Sequence, residues 1–350
     1  MRNGKIFAAA LLLALSFGIA GGCNNGGGGG GGFGEEPPPQ TPAFDLETAI
    51  DLGELSLVAY NQLQQCIDSG KDAITVPSPW TLEEVIYESV SSSLNDTCKD
   101  DEGVVPMAFI ATFGNGIYIA FRGTSNVADA LSDALAIEIP YDLIPDGGKV
   151  SGGFLGQYLG TDSFPVETAI LDKLDELLMT GDYENVYITG HSLGGALAAL
   201  AFPDLARNTS APNVFMYSFA GPAVGDSDFK SAYEAEYGTD RISWRIVNTN
   251  DLVPKLPPLG LDCTNFSYFH VSGEYRIEFG VALPDLPDFS ADNCDLITIG
   301  ADLLTYGLNN QDGIIEDHSM CTYFMTLCGQ GSDPSTCAER AVGCGGEESP

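Results

Sequence analysis

The 350-residue chain is short of positive charge: 14 Lys and Arg stand against 49 Asp and Glu, giving a formal charge of −35 at pH 7. Such an excess of acid repels phosphate backbones and excludes nucleic acid as a partner. Histidine is scarcer still, with three in the chain, and none of the nine cysteines forms a CxxC pair, so a zinc site lacks its ligands. Past the N-terminal region no apolar run reaches about 18 residues, and the sequence offers no further membrane span. Charged residues make up only 18% of the chain, against 44% hydrophobic and 10% aromatic. The acid excess therefore belongs to a chain able to bury a core, not to an acidic disordered polymer.

Residues 1–22 read as an export signal: Arg2 and Lys5, an apolar run from Ile6 to Ala20, then Gly21, Gly22 and Cys23. Small residues directly before a Cys resemble the lipobox of bacterial lipoproteins, with Ala20 where Leu is usual. That resemblance implies acylation of Cys23 and attachment to a membrane; the alternative is plain secretion. Cleavage removes Arg2 and Lys5 and no acid, taking the charge from −35 to −37. The other eight cysteines form an even set, as expected of disulfides in an oxidising compartment. Connectivity is not readable from spacing, and neighbour pairing, Cys66 with Cys98 and Cys263 with Cys294, is the simplest expectation.

Residues 23–43 read as a tether, Gly-rich and then Pro-rich over Pro37–Pro39, with too few apolar side chains for a core. Folding is expected from Phe44, where Leu46, Ile50, Leu57, Val58, Leu63 and Ile67 fall near helical spacing up to Gly70. Met107–Phe113 and Ile117–Phe121 flank Gly114-Asn115-Gly116 and predict a hairpin. Strands at Val186–Thr189, Val214–Phe219 and Ile242–Val247 alternate with helices at Thr168–Met179, Leu193–Arg207 and Asp228–Tyr237. Such alternation predicts an α/β fold with a mostly parallel central sheet and helices on both faces. One catalytic domain over 44–328 is expected, with a Cys-containing tail at 329–350. The stretch 282–316 has no clear period and receives no role.

The strongest local signal is Gly190-His191-Ser192-Leu193-Gly194, a GxSxG match between a strand and a helix. A nucleophile elbow needs that context: flanking glycines permit a strained turn that leaves Ser192 at a helix N-terminus, with the Leu193 amide free to meet an oxyanion. A serine nucleophile needs a base. His191 adjoins the nucleophile and is expected to point away from it, which leaves His270 and His318. His270 lies in an alternating, strand-like stretch and reads as a hydrogen-bonded structural residue. His318 opens an apolar helical stretch and is favoured. The acid must lie between Ser192 and the base. Asp251, at a strand end in a polar loop, is preferred over Asp226, which reads as a helix N-cap.

These segments together resemble the class 3 lipases, the fungal-lipase-like branch of the α/β-hydrolases. Phe121-Arg122-Gly123-Thr124 is similar to the family's oxyanion-loop motif, and Gly153-Phe154 with Tyr158 to its GFxxxY segment. GHSLGG over 190–195 matches its elbow. Gly221 to Gly225 is similar to its GxPRVG turn, with Ala223 in place of the usual Arg, and Asn250–Pro258 to the loop bearing its catalytic Asp. Tyr268–Glu274 resembles a noncatalytic stretch, and Asp317-His318-Ser319 with Tyr323 the motif bearing the catalytic His. The motifs occur in order from Phe44 to Leu327.

The resemblance implies a Ser192, Asp251, His318 triad with Thr124 and Leu193 at the oxyanion, no cofactor or metal, and a lipid or other ester as substrate. No obligate protein partner is implied. Triacylglycerol is the default, with phospholipase A1 or feruloyl-type esterase activity as alternatives, and a non-catalytic lipid- or glycan-binding surface lipoprotein as a different class. The family places a lid between Thr124 and Ala136. Here Val127, Ala130, Leu131 and Ala134 form an apolar stripe without an aromatic residue. Arg122 is expected to tie the oxyanion loop to the core, Lys255 to sit at the surface, and Trp80 and Trp244 to be core or rim residues.

Overall fold

Alternation along three neighbouring strands sends side chains to two separate cores. Ile117, Ile119, Val186, Ile188, Val214 and Met216 enter one; Tyr118, Ala120, Tyr187, Phe215 and Tyr217 enter the other. Both faces of a sheet are therefore covered, as expected of parallel strands joined by helices. The computed structural model describes residues 43–89, 97–101, 103–124, 138–236, 241–257, 268–280 and 315–344. The signal sequence, Cys23, the tether, the lid stretch 125–136, Cys263, Cys294 and 282–314 lie outside the described residues.

Chain order begins with helix α1 (Leu46–Ser69), then strands β1 (Thr81–Ser89), β2 (Val104–Phe113), β3 (Gly116–Phe121), β4 (Glu138–Pro140) and β5 (Lys149–Ser151). It continues with α2 (Gly152–Leu159), α3 (Val166–Thr180), β6 (Asn185–His191), α4 (Leu193–Asn208), β7 (Asn213–Phe219), α5 (Ser227–Ala235) and β8 (Arg241–Asn248). Last come β9 (Glu274–Ile277), α6 (Met320–Cys328) and α7 (Cys337–Arg340). A seven-stranded sheet runs β1-β2-β3-β6-β7-β8-β9. β1, β2 and β3 pair antiparallel, and every pairing from β3 to β9 is parallel. The α/β fold with a mostly parallel sheet agrees with the alternation in the sequence.

Helices α2, α3, α4 and α5 contribute to one core, and α1 and α6 to the other. α1 starts where Asp45 caps the Thr48 amide at 2.8 Å and stops at Gly70, whose φ of 93° suits glycine. The hairpin turns between Phe113 and Gly116. The sequence does not announce β1, β4, β5 or β9. β1 is an edge strand with two register shifts and one buried side chain, Ile86, so its periodicity is broken. The stretch at His270 forms an isolated bridge, Phe269 with Gly225, in place of a strand.

Cys66 pairs with Cys98, as neighbour pairing anticipates. The tail departs from that rule: Cys321 joins Cys344 and encloses the Cys328–Cys337 bridge. Cys321 and Cys328 lie two turns apart on α6, roughly 10 Å along its axis, too far to bridge each other. Arg340 then clasps the tail to α1, donating to Asp51 at 2.7 Å and Glu54 at 2.6 Å.

Candidate active site

β6 ends at His191 and α4 begins at Leu193, so Ser192 is the whole turn between them. Its backbone has φ 58° and ψ −122°, a conformation non-glycine residues adopt at a cost of about 1–3 kcal/mol. The Ser192 amide donates to Phe219 O at 2.9 Å, tying the turn to β7. Glycine at 190 and 194 is a matter of space: a Cβ on Gly190 would strike the Gly194 carbonyl, and one on Gly194 the Phe121 carbonyl. The turn and the 121–123 backbone are thus packed directly together. Arg122 holds that loop, donating from Nε to Pro106 O at 2.6 Å, from Nη1 to Gly123 O at 2.8 Å and from Nη2 to Glu88 at 3.1 Å.

β8 delivers Asp251. Asp251 follows its end by three residues, and its amide donates to Asn248 O at 3.0 Å in a tight turn. Its carboxylate is 0% exposed and takes three hydrogen bonds. The Val253 amide donates to Oδ1 at 2.9 Å; Tyr323 OH and His318 Nδ1 donate to Oδ2 at 2.9 and 2.8 Å. Such saturation is what a buried carboxylate requires.

His318 lies two residues before α6, whose N-cap is Ser319, accepting from the Thr322 amide at 3.4 Å. With Nδ1 donating to Asp251, Nε2 carries the lone pair. His318 Nε2 and Ser192 Oγ are both buried, and neither has a hydrogen-bond partner among the described residues. Two unpaired polar atoms, one an acceptor and one a hydroxyl, are what a general base and its nucleophile present before substrate enters. Of the residues expected from the sequence, Ser192 follows the end of β6, Asp251 follows the end of β8 and His318 stands just before α6, with Asp251 and His318 in direct contact.

The other histidines are accounted for. His270 Nε2 donates to Pro254 O at 2.5 Å, and burial, helped by the Arg245 charge, pushes its pKa down to about 4. His191 does not turn away from the site. Its Nε2 meets His318 O at 2.9 Å, its Nδ1 meets Tyr60 OH at 2.8 Å, and its ring centroid is 4.6 Å from that of His318. Burial first, and then His318, hold its pKa well below the usual histidine value. Asp226 caps α5 by accepting from the Phe229 amide at 2.8 Å. Lys255 is exposed, Trp80 is buried and Trp244 half-buried.

Two supporting residues went unassigned in the sequence. Tyr323 donates to Asp251 and accepts from the Asn248 amide at 2.8 Å. Burial first, and then the Asp251 charge, raise its pKa well above the ordinary tyrosine value. Asn248 donates to Asp317 O at 3.0 Å and accepts from the Asn250 and Phe279 amides, both at 3.2 Å, joining the Asp251 loop to the stretch that carries His318. Tyr323 already stood in the motif around His318, so a signal existed; Asn248 gave none.

Residues 118–261 match the sequence model of the Lipase (class 3) family. The chain is 36% identical over 164 residues to a lipase of Rhizomucor miehei, covering 46% of this chain and 41% of that one. It is 30% identical over 195 residues to a secreted mono- and diacylglycerol lipase A of Penicillium cyclopium, covering 55% and 56%. It is 28% identical over 258 residues to phospholipase A1-II 1 of Oryza sativa subsp. indica, covering 60% and 65%. The match spans less than half the length of the Rhizomucor relative. A solved triacylglycerol lipase, whose catalytic centre is a serine protease triad, superposes with a TM-score of 0.51 at 25% identity, covering 66% of this chain and 80% of that one. The α/β architecture around the site is that of the fungal lipases.

Proposed function

We propose that this class 3 lipase-like chain is a serine carboxylic-ester hydrolase acting on lipid esters through Ser192, His318 and Asp251. The observation that carries the reading is the buried 2.8 Å contact of His318 Nδ1 with Asp251, together with a strained Ser192 whose hydroxyl is unpaired among the described residues and whose neighbour His191 touches His318. His318 Nε2 takes the Ser192 hydroxyl proton as Oγ attacks the ester carbonyl. Asp251 fixes the tautomer and stabilises the imidazolium that forms. Negative charge on the carbonyl oxygen is met by the Leu193 and Thr124 amides, with the Thr124 hydroxyl as a further donor. The proton passes to the leaving alcohol, and water then releases the acid from Ser192 by the reverse path.

Triacylglycerol or a partial acylglycerol is the substrate class favoured by the lipases this chain is similar to. Phospholipase A1 activity is the second reading, favoured by the rice relative, which matches over the longest of these segments. The three disulfides among the described residues and the secreted Penicillium relative support an extracytoplasmic site of action. With the signal at 1–22 and the tether at 23–43, the proposal extends to a catalytic domain over 44–328 anchored by an acylated Cys23.

The test measures hydrolysis of p-nitrophenyl butyrate, an emulsified triacylglycerol and a phosphatidylcholine. Wild type should turn over the first two and Ser192→Ala none. Faster release from the phospholipid than from the emulsion would replace the acylglycerol reading with the second one. A jump in rate as an ester passes its solubility limit would indicate a working lid.

A further inference from the structure

His191 sits between an elbow glycine and Ser192, buried, with both ring nitrogens engaged. The His318 carbonyl can only accept, so Nε2 of His191 carries the proton in that 2.9 Å contact. A neutral ring then offers Nδ1 as an acceptor, and the Tyr60 hydroxyl donates to it at 2.8 Å. Tyr60 is itself fixed from behind: a Cβ on Gly123 would strike its hydroxyl and come within 2.6 Å of the His191 carbonyl. One chain of contacts thus runs from α1 through Tyr60 and His191 to the backbone of His318, touching the oxyanion loop on the way. The proton path of the proposed hydrolysis uses neither side chain. An apolar ring would fill the space without the cost of burying two polar nitrogens.

We infer that His191 is a positioning residue: its side chain grips the main chain of His318, so the nucleophile's own neighbour sets where the base stands. The inference rests on the proposed roles of Ser192 and His318. Ser192 is the whole turn between β6 and α4, whereas His318 stands in the short stretch before α6, and its ring hydrogen-bonds to Asp251 alone among the described residues while packing against the His191 ring. Two anchors, Asp251 on the ring and His191 on the carbonyl, fix both ends of the residue. Tyr60 holds the His191 tautomer. The hydrogen bond that Tyr60 donates occupies the Nδ1 lone pair and keeps the ring neutral beside the imidazolium that His318 becomes during attack. Removal of the grip lets the base drift from the serine without touching the ester pocket, so the loss falls on kcat and not on KM.

The experiment compares wild type, Ser192→Ala, His191→Phe, His191→Gln and Tyr60→Phe as full chains on p-nitrophenyl butyrate below its solubility limit, with a melting temperature for each. His191→Phe should lower kcat by about 10- to 100-fold, the range a misplacement near 1 Å produces, with KM within about twofold. His191→Gln keeps an N–H able to reach the His318 carbonyl and should recover most of kcat. Tyr60→Phe should fall between them. If His191→Phe does not fold, Tyr60→Phe decides, by a lowered kcat at unchanged KM. Wild-type kcat in His191→Phe, or a loss in His191→Gln as large as in His191→Phe, overturns the positioning role while the hydrolase reading stands. No turnover by wild type overturns that reading and this inference with it.

Discussion

The Tyr323 hydroxyl donates to Oδ2 of Asp251 at 2.9 Å, the same oxygen that takes the Nδ1 proton of His318 at 2.8 Å. Asp251 is thus held from α6, the helix that begins two residues after His318. Tyr323→Phe removes one of three donors to Asp251 and leaves the Asn248 amide without its acceptor. kcat/KM on a soluble ester should fall by about tenfold, and stability by about 1–3 kcal/mol, the range for a buried hydrogen-bonding group left unpaired. Ester kinetics and urea unfolding measure the two; unchanged values in both would remove Tyr323 from the site.

His270 gives a pH dependence with a definite sign. Burial holds its folded pKa at about 4, below the ordinary 6.5, so the unfolded chain binds the proton first. Stability from this residue is complete above about pH 6.5 and is lost as pH falls towards 4, by up to about 3 kcal/mol. Asp51, Glu54 and Asp204, whose pKa values burial raises, act in the opposite direction at the acid end. The difference between wild type and His270→Gln isolates the histidine. Urea midpoints from pH 7.5 to 4.5 should fall more steeply in wild type; parallel curves would contradict the assignment.

Much of this architecture is legible in the residues, for a physical reason. β6 and β7 bury side chains on both faces and β8 mixes buried with half-buried ones, while of the helices between them α4 is buried from Leu193 to Ala206 and α5 buries Phe229 and Tyr233 on one side. Ser192 is marked by glycines that only close backbone packing demands. The choice of His318 over His270 is weaker in the residues alone, because both lie in mixed apolar stretches. What separates them is the long-range contact with Asp251, 67 positions away. Tyr60 and Asn248 were invisible for the same reason: a tyrosine in an amphipathic helix and an asparagine at a strand end look ordinary until the chain folds them against His191 and Asp317. The nested tail disulfides likewise depend on which face of α6 the cysteines share.

The shortage of cations has its own consequence. Few of the 49 acids can be paired by 14 bases. Self-repulsion in the folded state should therefore be screened by salt over a Debye length of about 10 Å at 0.1 M. The melting temperature is expected to rise from 10 mM to 1 M NaCl, followed by circular dichroism. Adsorption to anionic vesicles should be weak at low salt, measured by co-sedimentation against zwitterionic ones. A melting temperature indifferent to salt would count against this reading of the charge.

The central claim is that Ser192 is a nucleophile activated by His318 and Asp251, and covalent capture tests it most directly. Purified wild type treated with a fluorophosphonate should gain one adduct, mapped by peptide mass spectrometry to Ser192, and Ser192→Ala should gain none. His318→Ala should label far more slowly. No adduct on the folded wild-type chain, or an adduct at another residue that survives in Ser192→Ala, would contradict the account.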